Sequence, residues 1–292
     1  MSIHMTKHTL ERLPKNTVVL NVTIPWTDIQ NEYGSAFDII HKEFVFEGFR
    51  KGKVPKEIAE KHISKDSVYQ QLIRTILPAI YDDIVKKEEL KPIISPKIDL
   101  TEAKENEDWK IKITLAEKPL IDLGDYKTYI KEAKAKTKKD EIWVPGKEPQ
   151  KEETADQKYQ KTLNAVLGAL MEKSTVEISD VILEEEITQR LSRLLDDIRK
   201  IGLTVEAYLK SKNQTLDDLR SLVAKDVEET YKMEFILMDI ADKESIQIGQ
   251  EDMDKLFGAI TDEKDRKAAQ ENAYFYASVL RKQKTLDYLT SL

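Results

Sequence analysis

The sequence predicts an α+β domain with an antiparallel sheet, followed by an all-α domain. Three observations carry this. Apolar and polar residues alternate at both ends of the first 131 residues, with helical spacing between them. From Lys131 to Gln157 periodicity disappears. From Tyr159 to Leu292 apolar residues recur at the intervals of amphipathic helices. The expected organisation is a first domain over 1–131, a linker over 132–157 and a helical domain over 158–292.

Val18, Leu20, Val22 and Ile24 alternate with Asn21 and Thr23, the period of a half-buried strand. Thr27 with Gln30 reads as a capping box. It opens a helix through Ile29, Tyr33, Phe37, Ile40 and Phe44. A loop over Gly48–Pro55 follows, then a short helix to about His62. Ser64 can cap a longer helix carrying Val68, Leu72, Ile76, Ile80 and Ile84, with a kink expected near Pro78. Two strands are expected next, at Pro92–Ile98 and at Trp109–Leu115, where Lys110, Lys112 and Thr114 alternate with Ile111 and Ile113.

The linker region is rich in Lys and Glu and broken by Pro145-Gly146 and Pro149. Ile142-Trp143-Val144 is an apolar exception and is expected to anchor the linker to a domain. Beyond it, one stripe runs through Leu163, Val166, Leu167, Leu170 and Met171. A second runs from Val181 to Ile201, with Gly202 as its stop. Thr204 can cap a short helix, and Thr215 with Asp218 a long one through Leu219, Val227, Phe235 and Met238. Two further helices carry Met253, Leu256 and Phe257, then Val279, Leu280, Leu286 and Leu289.

Composition excludes several function classes. The 292 residues are 40% apolar and 35% charged, with a formal net charge of −7. A protein that coats nucleic acid is usually basic, so any RNA contact should be local. DNA is not expected as a partner. Such a local excess exists over Gly48–Lys65, where Arg50, Lys51, Lys53, Lys56, Lys61 and Lys65 face only Glu57 and Glu60. The absence of cysteine removes disulfides, thiolate metal sites and Cys nucleophiles. His4, His8, His41 and His62 lack metal-ligand spacing, so no metal and no cofactor are expected. Glu184-Glu185-Glu186 lies at a helix start, where carboxylates favour the dipole, and needs no catalytic explanation. No phosphate loop or nucleophile–base pair is present, so no catalytic residue is nominated. The polar N-terminus and the lack of a long apolar stretch make a cytoplasmic address, away from membranes, the expectation.

The run Gly48-Phe49-Arg50-Lys51-Gly52-Lys53-Val54-Pro55 sets three cations and one aromatic in a loop between two helices. Glycine allows sharp turns there, and proline fixes φ. The side chains are poor core material and good docking material. Arginine and lysine suit phosphates or carboxylates, and the aromatic adds apolar area at low entropic cost.

This run resembles the ribosome-docking loop of the trigger factor family of bacterial chaperones. Gly202-Leu203-Thr204-Val205-Glu206-Ala207-Tyr208-Leu209 is similar to a segment of that family's C-terminal domain. Phe235–Asp252 is similar to its arm hairpin, and Ser278–Leu289 to its final helix. The family usually carries an FKBP-type prolyl isomerase domain between its docking and helical domains. Residues 132–157 stand in that place and are far too few for one.

The resemblance implies a ribosome-associated holdase that works without ATP and lacks the family's isomerase, and so is not an enzyme. Its ribosome contacts would be Gly48, Phe49, Arg50, Lys51, Gly52 and Lys53, against exit-site ribosomal protein and ribosomal RNA. The helical domain would shelter unfolded nascent chains. Most of its apolar residues should be ordinary core. Met233, Phe235, Met238, Met253, Phe257, Tyr274, Phe275 and Tyr276 are the candidates for client contact, because thioethers and aromatics adapt to changing partners. Weak homodimerisation stays open. So do two rival functions, a scaffold for one folded partner and a prolyl isomerase at an unfamiliar site.

Overall fold

The computed structural model describes residues 7–140 and 154–292 and divides the chain into two compact units, Met1–Lys118 and Pro119–Leu292.

In the first unit, strands β1 (Lys7–Leu13), β2 (Thr17–Ile24), β3 (Lys97–Glu102) and β4 (Trp109–Ala116) form an antiparallel sheet in the order β1-β2-β4-β3. The central pair is the one whose alternation the sequence displays. Val18 lies opposite Leu115, Leu20 opposite Ile113, Val22 opposite Ile111 and Ile24 opposite Trp109. All eight are buried. They form one core with α1 (Trp26–Glu43), α2 (Lys56–His62) and α3 (Lys65–Lys87), through Ile29, Phe37, Ala59, Val68, Leu72 and Ile76. Burying each such side chain is worth about 1.5–3 kcal/mol. The Trp109 ring sits edge-on to Tyr69 at 5.1 Å, and its indole N–H donates to the Lys104 carbonyl at 3.2 Å.

Three features depart from the sequence expectation. Edge strand β1 has no counterpart in it, because Leu10 is the one apolar residue there that packs on the core. The strand expected at Pro92–Ile98 is shifted to Lys97–Glu102. Pro92 and Pro96 cannot donate to a ladder, so only an isolated bridge from Pro92 to Glu117 forms earlier. Thr27 does not cap α1. Pro25 precedes the helix, and the Trp26 N–H donates instead to the Asp108 carboxylate at 2.9 Å. Ser64 does cap α3, accepting from the Ser67 N–H at 3.2 Å, and α3 continues through Pro78.

The second unit contains α4 (Tyr126–Asp140), α5 (Ala155–Lys173), α6 (Asp180–Lys200), α7 (Val205–Lys212), α8 (Leu216–Lys243), α9 (Gln250–Ala259), α10 (Glu263–Glu271) and α11 (Ala273–Ser291). A two-stranded antiparallel ribbon, β5 (Leu120–Asp122) with β6 (Thr175–Glu177), joins them. It is an addition to the expected all-helical region. Helix α10 is a further addition, because among its nearly all polar residues only Ala269 is buried. Thr204 and Thr215 cap α7 and α8 as expected, with Asp218 completing the box at Thr215. Gly202, at φ 79°, follows α6.

The unit boundary falls between Lys118 and Pro119, ahead of the expected position at 131. The reason is packing. Leu123, Tyr126 and Ile130 are buried with Val166, Leu170, Ile236, Ile240 and Leu289. Helix α4 thus occupies part of the expected linker, and the Thr154 cap of α5 occupies its other end. The anchor expected at Trp143 lies outside the described residues.

A polar cluster ties three helices together. The Glu244 carboxylate, just past α8, accepts from the Tyr126 hydroxyl at 2.5 Å and the Tyr288 hydroxyl at 2.7 Å. It also pairs with Lys127 at 2.7 Å. Hydrogen bonds from Lys127, then from the two tyrosines, hold its pKa at about 2. Burial, together with the bond to Glu244, pushes the Tyr126 hydroxyl well above the usual tyrosine range.

Candidate functional site

Two surfaces meet the chemistry anticipated from the sequence, one in each unit. The first is the α1–α2 loop. Helix α1 stops at Phe44, whose backbone is extended. The Gly52 N–H donates to the Phe44 carbonyl at 3.0 Å and closes the loop's base. Two tight turns lie within it, Phe49 N–H to Phe46 carbonyl at 3.1 Å and Lys53 N–H to Arg50 carbonyl at 2.9 Å. Gly48 and Gly52 take φ of 81° and 66°, which side chains disfavour. At Gly52 space is also lacking, since a Cβ would lie 2.5 Å from the Lys42 carbonyl oxygen. His41 Nε2 lies 2.5 Å from the carbonyl oxygen of buried Val54 and fixes the far side.

This frame presents Phe49, Arg50, Lys51 and Lys53 to solvent. Phe49 is 39% exposed, with its centroid 6.4 Å from Phe46, which in turn lies 4.6 Å from His62. An aromatic stack therefore props the exposed ring. Lys51 pairs with Glu43. Among the described residues Arg50 and Lys53 have no ion-pair partner. The wider basic run is less free than its sequence implies. Lys56 pairs with Asp38 at 2.7 Å and holds that carboxyl below its usual range, and Lys65 pairs with Glu105 at 2.7 Å. Among the described residues the cations of this run without an ion-pair partner are Arg50 and Lys53 in the loop and Lys61 in α2.

The second surface is an open groove of about 690 Å³ in the helical unit, between α8, the connector at Gln247–Ile248 and α11. Its apolar lining includes Leu237, Met238, Ile248, Tyr274, Phe275 and Val279. Tyr274 is 91% and Phe275 62% exposed, unusual for large apolar rings. The rim charges cancel, since Arg281 pairs with Asp242 and Lys282 with Glu234, both at 2.7 Å. A neutral rim over an apolar floor suits uncharged apolar segments.

The eight sequence candidates separate here. Met238, Tyr274 and Phe275 line the groove. Met233 and Phe235 are turned to packing, Met233 half-buried against the main helical core and Phe235 buried. Met253 and Phe257 are buried in a satellite core, against which Tyr276 packs with its ring 6.3 Å from Phe257. These five serve the fold because their helices pack face to face. Sequence reasoning missed Leu237, Ile248 and Val279 as groove residues. Val279 lies one turn beyond Phe275 on the same helical face, a spacing that could have found it. Among the described residues no acidic or histidine cluster could hold a metal, and no helix is long and apolar enough to cross a membrane.

Comparison with known proteins adds the following. Residues 6–143 match the family model of the bacterial trigger factor protein, and residues 147–289 match the model of the trigger factor C-terminus. A trigger factor of Staphylococcus epidermidis is 26% identical over 291 residues, covering 94% of this chain and 63% of its own length. One from Staphylococcus aureus strain Newman is 26% identical over 248 residues, covering 81% of this chain and 53% of its own. The chain thus spans less than two thirds of the length of these curated relatives. A solved structure described as showing promiscuous substrate recognition in folding and assembly activities of the trigger factor chaperone superposes with a TM-score of 0.65. It covers 97% of this chain and 99% of that one at 15% identity, a likeness of fold.

Proposed function

The chain belongs to the trigger factor family, and on that premise we propose that it is a ribosome-associated chaperone that holds unfolded nascent polypeptides without ATP. The observation that carries this is the α1–α2 loop, a propped aromatic beside two cations with no ion-pair partner among the described residues, on a backbone shaped by two positive-φ glycines. Gly48, Phe49, Arg50, Lys51, Gly52 and Lys53 form the docking element. Arg50 and Lys53 bind phosphates of ribosomal RNA or carboxylates of a ribosomal protein at the exit site, and Phe49 enters an apolar pocket. The groove bounded by Met238, Tyr274 and Phe275 receives apolar segments of the client. Clients bind while those segments are exposed and leave as they bury them. The working place is the cytoplasm.

Catalysis of prolyl isomerisation is not part of this proposal. The two family models adjoin across residues 144–146, which supports a chain with no intervening isomerase domain. The domain roles follow the compact units: docking in Met1–Lys118 and client shelter in Pro119–Leu292.

The test is ribosome co-sedimentation of Phe49→Ala/Arg50→Ala/Lys51→Ala. The triple variant should lose ribosome binding, keep its circular dichroism and still suppress aggregation of an unfolded client. Co-sedimentation like the parent's would remove the loop from the mechanism. Acceleration of a proline-limited refolding step, which takes roughly tens to hundreds of seconds uncatalysed, would show an isomerase after all. Capture of one dominant folded partner, with no protection of unfolded clients, would support a scaffold.

A further inference from the structure

Strand β3 ends the sheet of the first unit, and its environment is unlike that of its neighbours. All six of its residues are exposed. Among the described residues no strand pairs with its outer edge. In any edge strand, alternate N–H and C=O groups point away from the sheet and seek a partner. Ile98 lies opposite buried Ile113, and Leu100 opposite buried Ile111. Their side chains therefore continue the core face, yet they are 44% and 45% exposed. The helical layer stops short of this strand. Beside the free backbone edge lies a short aliphatic ledge.

We propose that β3 is a second client-binding element, which takes an extended apolar segment of an unfolded polypeptide as an added strand. The occupant's form follows from the edge, because only an extended backbone matches its row of donors and acceptors. Its pattern follows from the ledge. Apolar residues at alternate positions continue the row of Ile98 and Leu100, and polar residues between them meet Lys97 and Asp99 on the other face. The regular edge is brief. Pro96 precedes it, and a register shift between Leu100 and Glu102 ends it. About four residues can pair, which gives weak, reversible capture.

The same limits disfavour a second copy of this chain. A two-fold pairing that continues the sheet and centres on Asp99 sets Asp99 against Asp99, a like-charge pair. Centring on Ile98 recruits Pro96, which has no N–H, and centring on Leu100 runs into the irregular stretch. The proposal rests on the chaperone reading only for the source of the peptide. Strand addition itself is tested without a ribosome.

The experiment uses the full chain and a fluorescein-labelled peptide of alternating Val and Thr with terminal Lys residues. Anisotropy measures its binding, and hydrogen exchange measures protection of the Lys97–Leu100 amides. Two controls separate the alternatives. A peptide N-methylated at every residue keeps its side chains but loses the amide donors of both edges. The variant Ile98→Lys/Leu100→Lys places charges on the ledge. Each should weaken binding roughly tenfold or more, as expected from the loss of two or more hydrogen bonds or of the apolar contact. The normal peptide should protect the β3 amides, and the double variant should still co-sediment with ribosomes. Equal binding of the N-methylated peptide, or unchanged β3 exchange, overturns the proposal. Concentration-dependent β3 protection without peptide, with a dimer in sedimentation, assigns the edge to self-association and overturns it as well. If strand addition fails while the chain still suppresses aggregation, the chaperone reading stands and only this element falls.

Discussion

At the scale of single residues, two positions carry more constraint than their chemistry suggests. Gly52 combines φ of 66° with a backbone carbonyl 2.5 Å from where a Cβ would stand. Gly52→Ala must move the loop base or strain it, at about 1–3 kcal/mol. The expected outcome is weakened ribosome co-sedimentation with a slightly lowered midpoint in urea. Gly48→Ala, which meets open space, should be milder in both measurements. Glu244 is the second position. Its folded pKa of about 2 lies below the ordinary value of 4.5. A depressed carboxylate stabilises the fold fully above the unfolded pKa, and the contribution fades as pH falls from 4.5 towards 2. Partial exposure screens the effect, leaving on the order of 1 kcal/mol. Urea midpoints measured across that range should fall less steeply for Glu244→Gln than for the parent. Identical slopes would mean that the cluster does not couple to folding.

At the scale of elements, legibility followed burial. Strands β2 and β4 were readable because one face of each is fully buried, and burial on one face writes a period of two into the sequence. Edge strand β1 carries little such record, since Leu10 is its one apolar residue on the core, whereas β3 does alternate at Ile98 and Leu100 and was only placed too early, at Pro92–Ile98. Caps at Ser64, Thr204 and Thr215 were readable because capping is local. The one at Thr27 failed because Asp108, distant in sequence, serves the helix start instead. The candidate loop's shape and exposure were legible for the same local reason, its glycines and cations being contiguous. The groove was not, because whether Met238 or Met253 is left facing solvent depends on which helices pack over it. Helix α4 shows the cost of reading by composition. Its lysines suggest a linker, while Tyr126 and Ile130 are buried in the helical core. A fragment over 119–292 should therefore fold cooperatively. One over 132–292 loses Leu123, Tyr126 and Ile130, each worth about 1.5–3 kcal/mol, and should be several kcal/mol less stable in urea. Equal stability would put α4 outside the cooperative unit.

At the scale of the whole molecule, the proposed docking loop and the proposed apolar groove lie in separate compact units with separate cores. The loop can thus be weakened without loosening the groove, and the groove filled without disturbing the loop. Ribosome binding should fall with added salt, but gently, since the tip offers only a few cations, Arg50 and Lys53 among them, and the salt slope scales with the number of phosphates neutralised. The burial of Trp109 has a practical consequence for following these units one at a time. The chain has three tryptophans; Trp26 and Trp109 lie in the first unit, and residues 154–292 contain none. Trp109 is shielded from water and set against Tyr69, so its emission should be blue-shifted in the native state. Tryptophan fluorescence is then an optical reporter weighted to the docking unit, while far-ultraviolet circular dichroism is dominated by the helices of the other. Under rising denaturant the two signals should trace different curves. A mutation in the groove should displace chiefly the dichroic one, which turns the uneven placement of one chromophore into a built-in separation of the two halves.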